Sequence, residues 1–207
     1  MCLVHTNWYL LSQHGFQKSH FEHTLYIKSN YNGDITVVCL YVDDLIFIGN
    51  YQQMFENFRE TMKQQFEMID LGLMSYFLGI EVQQMDDGIF ISQKMYALDI
   101  LKWFKMESSS TIRTPIAEQL EMKNEDIREL VNPTYFKGIV GSLRYLSSTR
   151  PNIVYGVKII SRFMKKSYQS HLQVAKWILR YVSGTCDHGI FCSYSNNFTL
   201  VGYKNGD

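Results

Sequence analysis

Two adjacent carboxylates, Asp43 and Asp44, follow Tyr41-Val42 between the apolar runs Ile35 to Leu40 and Leu45 to Ile48. Neighbours in a strand point to opposite faces, but a hairpin tip relaxes that alternation and lets two aspartates converge on one cation. Phosphoryl transfer uses carboxylates in this way, to hold two divalent ions about 3.5 to 4 Å apart, one activating the attacking hydroxyl and one neutralising the leaving group. A plainer use competes, because aspartate tolerates turn geometry and bonds its own backbone. Taken alone the pair reads as a turn, so its surroundings decide.

Those surroundings form a meander. Leu25 to Lys28 and Ile35 to Leu40 are β-rich runs parted by Asn30-Tyr31-Asn32-Gly33-Asp34, which supplies the positive-φ residues a hairpin needs. The aspartates then occupy the second turn. From Gln52 to Phe66, Phe55, Phe58, Met62 and Phe66 recur at helical spacing, predicting a helix that covers the sheet. Tyr76 to Val82 and Ile89 to Ile91 read as strands of a second hairpin, joined through Asp86-Asp87-Gly88, before a short helix carrying Ala97, Ile100, Leu101 and Phe104. The class is α+β.

The polar stretch from Glu107 to Asn132 reads as a linker, and helices follow it. Asn132-Pro133 is a cap and first-turn pair ahead of the stripe Phe136, Ile139, Val140, Leu143, Leu146. Pro151 starts a second helix, with Ile153, Val157, Ile160 and Met164 inward and Lys158, Arg162 and Lys165 opposite. A third, from about Tyr168 to Val182, turns Leu172, Ala175, Leu179 and Val182 inward. On the first of these helices Gly138, Gly141 and Tyr145 share the face opposite the apolar stripe, near Arg144, leaving backbone bare enough for a sugar-phosphate rail. Trp177 and Tyr181 suit stacking on nucleic acid or, better, a contact with a further domain. The β-like pieces Gly189 to Tyr194 and Thr199 to Tyr203 close the chain.

With 46% hydrophobic and 14% aromatic residues among 207, a sizeable core is expected. The longest apolar run, Ile35 to Val42, is strand-sized, so neither a membrane span nor a signal peptide is read here and a soluble intracellular protein is expected. Cys2, Cys39, Cys186 and Cys192 form no CxxC pair, which points away from disulfides and zinc. A net charge of zero hides a division: residues 1 to 129 hold 10 Lys/Arg against 18 Asp/Glu, and residues 130 to 186 hold 9 Lys/Arg and no acid. Either an acidic catalytic part beside a polyanion-binding part, or two parts docked on each other, would look like this.

Six ordered stretches decide how the carboxylate pair is read: His23 to Lys28, Leu40 to Ile48 (LYVDDLIFI), Phe66 to Leu71, Tyr76 to Val82 (YFLGIEV) with Ile91-Ser92-Gln93, Val140 to Pro151 (VGSLRYLSSTRP) and Ile178 to Thr185 (ILRYVSGT). Together they resemble the reverse transcriptase of Ty1/copia-type retrotransposons over nearly the whole chain. The resemblance implies a partial palm over 1–106, an antiparallel sheet with a covering helix, then the linker 107–132. An all-helical thumb-like basic subdomain over 133–186 and the start of an RNase H-like domain over 187–207 would follow. It makes Asp43 and Asp44 catalytic ligands of Mg2+ or Mn2+, two ions in the intact family site. Tyr41 and Val42 would lie under the primer end, and Phe77-Leu78-Gly79 would form the primer-grip hairpin. Gly138, Gly141, Arg144, Tyr145, Lys158, Arg162 and Lys165 would meet nucleic acid. The implied partners are an RNA or DNA template with a DNA primer, deoxynucleoside triphosphates, and the fingers and RNase H regions, in the cytoplasm or in retrotransposon particles.

The departures from that pattern matter as much. The family's polymerase needs a third carboxylate on an earlier strand and a fingers region, and neither is recognisable: Asp34 belongs to a turn and Glu22 to another block. Asn7-Trp8-Tyr9 is followed too soon by His14-Gly15-Phe16, and LVGYKNGD carries Asn205 and Asp207 where the family usually has two aspartates. The sequence therefore predicts a chain that is inactive alone.

Overall fold

The computed structural model describes residues 9–42, 44–66, 68–116 and 129–194. The chain divides into two compact units, Met1–Met74 and Ser75–Asp207.

In the first unit, residues 9–13 are helical. Strands β1 (Gln17–Lys18), β2 (Leu25–Ser29), β3 (Ile35–Tyr41) and β4 (Asp44–Gly49) form an antiparallel sheet in that order. The short β1, which pairs with Tyr26 and Ile27, has too few residues to show alternation in the sequence. Asn30 builds the first turn by accepting from the backbone of Asn32 and Asp34 while donating to the Asp34 carboxylate at 2.7 Å. Helix α1 (Gln52–Gln65) lies on the sheet as its periodicity predicts, burying Phe58 and Met62. Phe47 of β4 meets Phe55 and Phe58 at ring separations of 4.4 and 5.1 Å, and Tyr26, Val38, Leu40, Leu11 and Phe16 complete this core.

The second unit begins with strands β5 (Tyr76–Phe77), β6 (Ile80–Met85) and β7 (Gly88–Ser92), continued by α2 (Lys94–Trp103). Tyr76 to Val82 is thus not one strand but two, reversed at Leu78-Gly79. Both residues have positive φ, 47° and 79°, which is the geometry of a tight two-residue hairpin turn. Helices α3 (Pro133–Leu146), α4 (Pro151–Ser161) and α5 (Gln169–Ser183) follow. Asn132 caps α3 by accepting from Thr134 and Tyr135, with Pro133 in the first turn, as its sequence predicts. Every residue of the predicted α3 stripe is buried, and so are Ile153, Val157 and Ile160 of α4 and Leu172, Ala175, Leu179 and Val182 of α5. At about 1.5 to 3 kcal/mol for each fully buried side chain, this single apolar cluster dominates the unit's stability.

Two expectations change here. The compact units part between Met74 and Ser75, before the second hairpin and not within 107–132, because the cluster that contains Ala97, Ile100 and Leu101 is continuous with that of α3, α4 and α5. The described part of the expected linker, 107–116, is bound to α5. Arg180 donates to the Ser110 carbonyl and hydroxyl, and Trp177 Nε1 donates to the Thr114 carbonyl at 2.9 Å. Trp177 is therefore occupied within its own unit, as is Tyr181, whose hydroxyl accepts from Asn152 at 2.6 Å. Finally β8 (Gly189–Ser193) adds to the edge of β7. A Cβ at Gly189 would lie 2.3 Å from the Ile91 carbonyl and one at Gly88 2.5 Å from that of Cys192, so glycine at both positions is what lets these strands close. The predicted piece 199–203 lies outside the described residues.

Candidate nucleic-acid and metal-binding sites

Six residue pairs, from Thr36↔Gly49 to Tyr41↔Asp44, zip β3 to β4 and deliver Asp44 to the end of the hairpin. Val42 has φ 52°, a left-handed backbone that a β-branched residue rarely takes, and is 56% exposed. Asp43 lies outside the described residues. Asp44 is exposed and no ion pair among the described residues involves it, so its oxygens stay open to a cation. No group of three His, Cys, Asp or Glu side chains that could hold a metal gathers among the described residues. One exposed carboxylate is too few donors for a closed coordination shell, and any cation held here would need further oxygen ligands.

Three other acids of this unit are engaged elsewhere. Asp34 closes its turn with Asn30. Glu22 accepts from the Thr24 amide and hydroxyl, which hold its carboxyl below the usual range. Asp70 is lowered by the Gly72 amide and pairs with Arg59 at 2.9 Å.

In the second unit the Leu78-Gly79 turn projects Leu78, 42% exposed, with Tyr76 exposed beside it and Phe77 half-buried. On α3 the three residues expected to share a bare face have separate surroundings. Nothing lies within 4 Å of a Cβ built on Gly141, whereas one on Gly138 would meet the Phe104 ring at 3.8 Å. The Tyr145 hydroxyl donates to the Leu78 carbonyl. Arg144, Lys158, Arg162, Lys165 and Lys166 are all exposed, and none has an acidic partner among the described residues. Tyr155 of α4 is 69% exposed and lies on the same face as Lys158 and Arg162, three and seven residues on. The spacing of Tyr155 to Lys158 places it among these cations, a signal that lies in the sequence beside the apolar stripe of α4.

The site also has a foundation that spacing did not reveal. Gln93 and Arg150 are each 1% exposed. Gln93 Oε1 accepts from the hydroxyls of Ser148 and Thr149, while Arg150 donates to the Thr185 carbonyl at 2.8 Å and to its hydroxyl. Burial pushes the Arg150 guanidinium below its usual pKa. These bonds tie the stretches ISQ, SSTRP and SGT into one knot. Nearby, Glu81 accepts from the Met95 amide at 2.7 Å and so caps α2.

Residues 2–118 match the reverse transcriptase (RNA-dependent DNA polymerase) family. The chain is 37% identical over 193 residues to the retrovirus-related Pol polyprotein from transposon RE1 of Arabidopsis thaliana, covering 93% of this chain and 13% of that protein. It is 33% identical to the corresponding polyprotein from transposon RE2 of the same plant, covering 99% of this chain and 14% of the relative. An uncharacterized mitochondrial protein of Arabidopsis thaliana is 32% identical over 81% of this chain and 70% of its own length. The chain thus spans about one seventh of the polyproteins it matches. No solved structure matches it. A mixed fold of two antiparallel sheets with helices, together with these matches, places the chain in the reverse-transcriptase class. The chain belongs to the reverse transcriptase family, as a fragment of the copia type found in retrotransposon Pol polyproteins.

Proposed function

We propose that this chain holds a primer–template duplex for an RNA-directed DNA polymerase, with the first unit as palm and α3, α4 and α5 as thumb, and that alone it binds without extending. The carrying observation is the set of exposed cations Arg144, Lys158, Arg162, Lys165 and Lys166, none with an acidic partner among the described residues, together with the open backbone of Gly141. Such cations bind phosphates without reading sequence, which a polymerase requires.

Asp43 and Asp44 would hold Mg2+ or Mn2+, which when bound activates the primer hydroxyl and neutralises the departing pyrophosphate. The remaining work falls to positioning. Tyr41 and Val42 support the primer end, and the Phe77-Leu78-Gly79 turn steadies it for in-line attack. Two carboxylates with no recognisable third leave the ion underheld, and this is the basis for expecting no extension. The deoxynucleoside triphosphate and the fingers and RNase H regions are partners of the larger enzyme, in the cytoplasm or in retrotransposon particles.

Fluorescence anisotropy with a DNA primer on an RNA template, across a range of KCl, tests the binding. The affinity should fall linearly on logarithmic axes, and the double variant Lys158→Ala, Arg162→Ala should reduce the slope by about 2. Binding indifferent to salt would refute the proposal. Magnesium-dependent extension abolished by Asp43→Asn would refute its inactive part. Salt-sensitive binding that ignores both magnesium and Asp43→Asn would make the chain a nucleic-acid-binding module without catalysis.

A further inference from the structure

Leu78 adopts a left-handed backbone, φ 47°, that a leucine avoids. Its own strands do little to impose it. β5 contributes two residue pairs, Tyr76↔Glu81 and Phe77↔Ile80, and the Val82 amide adds one bond to the Ser75 carbonyl. Burial does not impose it either, since Leu78 is 42% exposed. The side chain that reaches the turn comes from α3, where the Tyr145 hydroxyl donates to the Leu78 carbonyl. The Tyr145 ring is set edge-on against Tyr96 at 4.8 Å and 82°, and Tyr96 is set edge-on against Trp103 at 5.9 Å, so the phenol is aimed by α2. Gly79 completes the fit, because a Cβ there would stand 2.7 Å from the same hydroxyl.

We propose that Tyr145 is a positioning residue whose hydroxyl sets the Leu78-Gly79 turn, so that the turn and the first basic helix move as one body. Its engagement in the chain itself replaces direct contact with the duplex as the use of its hydroxyl. The consequence for the primer end rests on the function proposed above; the latch does not.

Tyr145→Phe keeps the ring against Tyr96 and removes the hydroxyl. In the 207-residue chain, amide hydrogen exchange over residues 77–81 should quicken about tenfold, the worth of one hydrogen bond, with Ile139 and Val140 unchanged. Gly79→Ala should quicken it at least as much, since its Cβ displaces the hydroxyl and also strains a backbone at φ 79°. Wild-type exchange at the turn in either variant overturns the latch. The second arm compares anisotropy on a primer–template with a recessed 3′ end and on a blunt duplex of equal length. Tyr145→Phe should erase the preference for the recessed end and leave blunt-duplex affinity as it was. Equal losses on both would make Tyr145 a nucleic-acid contact and overturn the proposal. If the wild-type chain binds neither probe, the duplex-holding function fails while the exchange arm still decides the latch.

Discussion

Between Tyr41 and Asp44, and again between Phe77 and Ile80, the chain reverses through two residues, the first of which, Val42 or Leu78, is bulky and left-handed. The supports differ. Six residue pairs of β3 and β4 stand behind the first reversal, a backbone ladder that runs up to the turn. Two pairs stand behind the second, and a tyrosine from 67 positions away supplies the rest. A turn on a long ladder can leave its side chains free for a ligand; a turn on a short one draws its side-chain support from the surrounding fold. Asp44 ends the long ladder, which suits the ion-binding role proposed for Asp43 and Asp44.

If side chains hold the second region, removing one of their buried anchors should hurt most. Arg150→Ala removes the side-chain donor to the Thr185 carbonyl and hydroxyl, leaving the carbonyl only the His188 amide, and opens a cavity, and should cost about 3 kcal/mol, read from the urea midpoint of the second unit. Amide exchange in β2 and β3 should not change with it. The first region should respond in the opposite sense to relief of its strained tip. Val42→Gly removes the left-handed penalty and adds some unfolded-chain entropy, for a net gain of up to about 1 kcal/mol in the exchange protection of β3 and β4. A loss there would mean that the Val42 side chain holds the turn, and the contrast between the two reversals would collapse.

A smaller effect concerns acid. His171 is buried, stacks on Phe163 at 3.8 Å and accepts the Tyr168 amide at Nδ1, and burial holds its pKa below the usual value. The unfolded chain therefore takes up the proton first. Stability from the neutral ring is complete above the ordinary histidine value of about 6.5 and declines as the pH falls through it toward the lowered folded value. Thermal melts of the second unit should show this decline below about pH 6.5, and His171→Gln should flatten it.

Periodicity made the helices legible. The stripes of α3, α4 and α5 and the run Phe55, Phe58, Met62 fall where their spacing puts them, because apolar burial obeys the helix repeat. The meander around Asp43-Asp44 was legible for the same reason, through alternation and the Asn30 to Asp34 turn. The Leu78-Gly79 reversal was not, since leucine is a poor turn residue and the tyrosine that sustains it is remote in sequence. The anchoring of 107–116 escaped notice as well, because its bonds use backbone carbonyls, which every residue offers. Arg150 looked like one more base in a basic segment, and only its neighbours make it a structural bolt. Which residues form elements was thus written locally; which side chains brace them was not.

The last strand bears on how such a chain is made. β8 pairs with β7 across about a hundred residues of sequence, Gly88 with Ser193 and Ser92 with Gly189. During synthesis the edge of β7 must wait, its amides and carbonyls unpaired, until the four helices α2 to α5 have been translated and β8 emerges. Contacts of such long range slow folding, and an open strand edge in the interval invites pairing with other chains. The risk of aggregation in this protein is therefore set by elapsed translation time, and slower elongation through α3 to α5 should raise it.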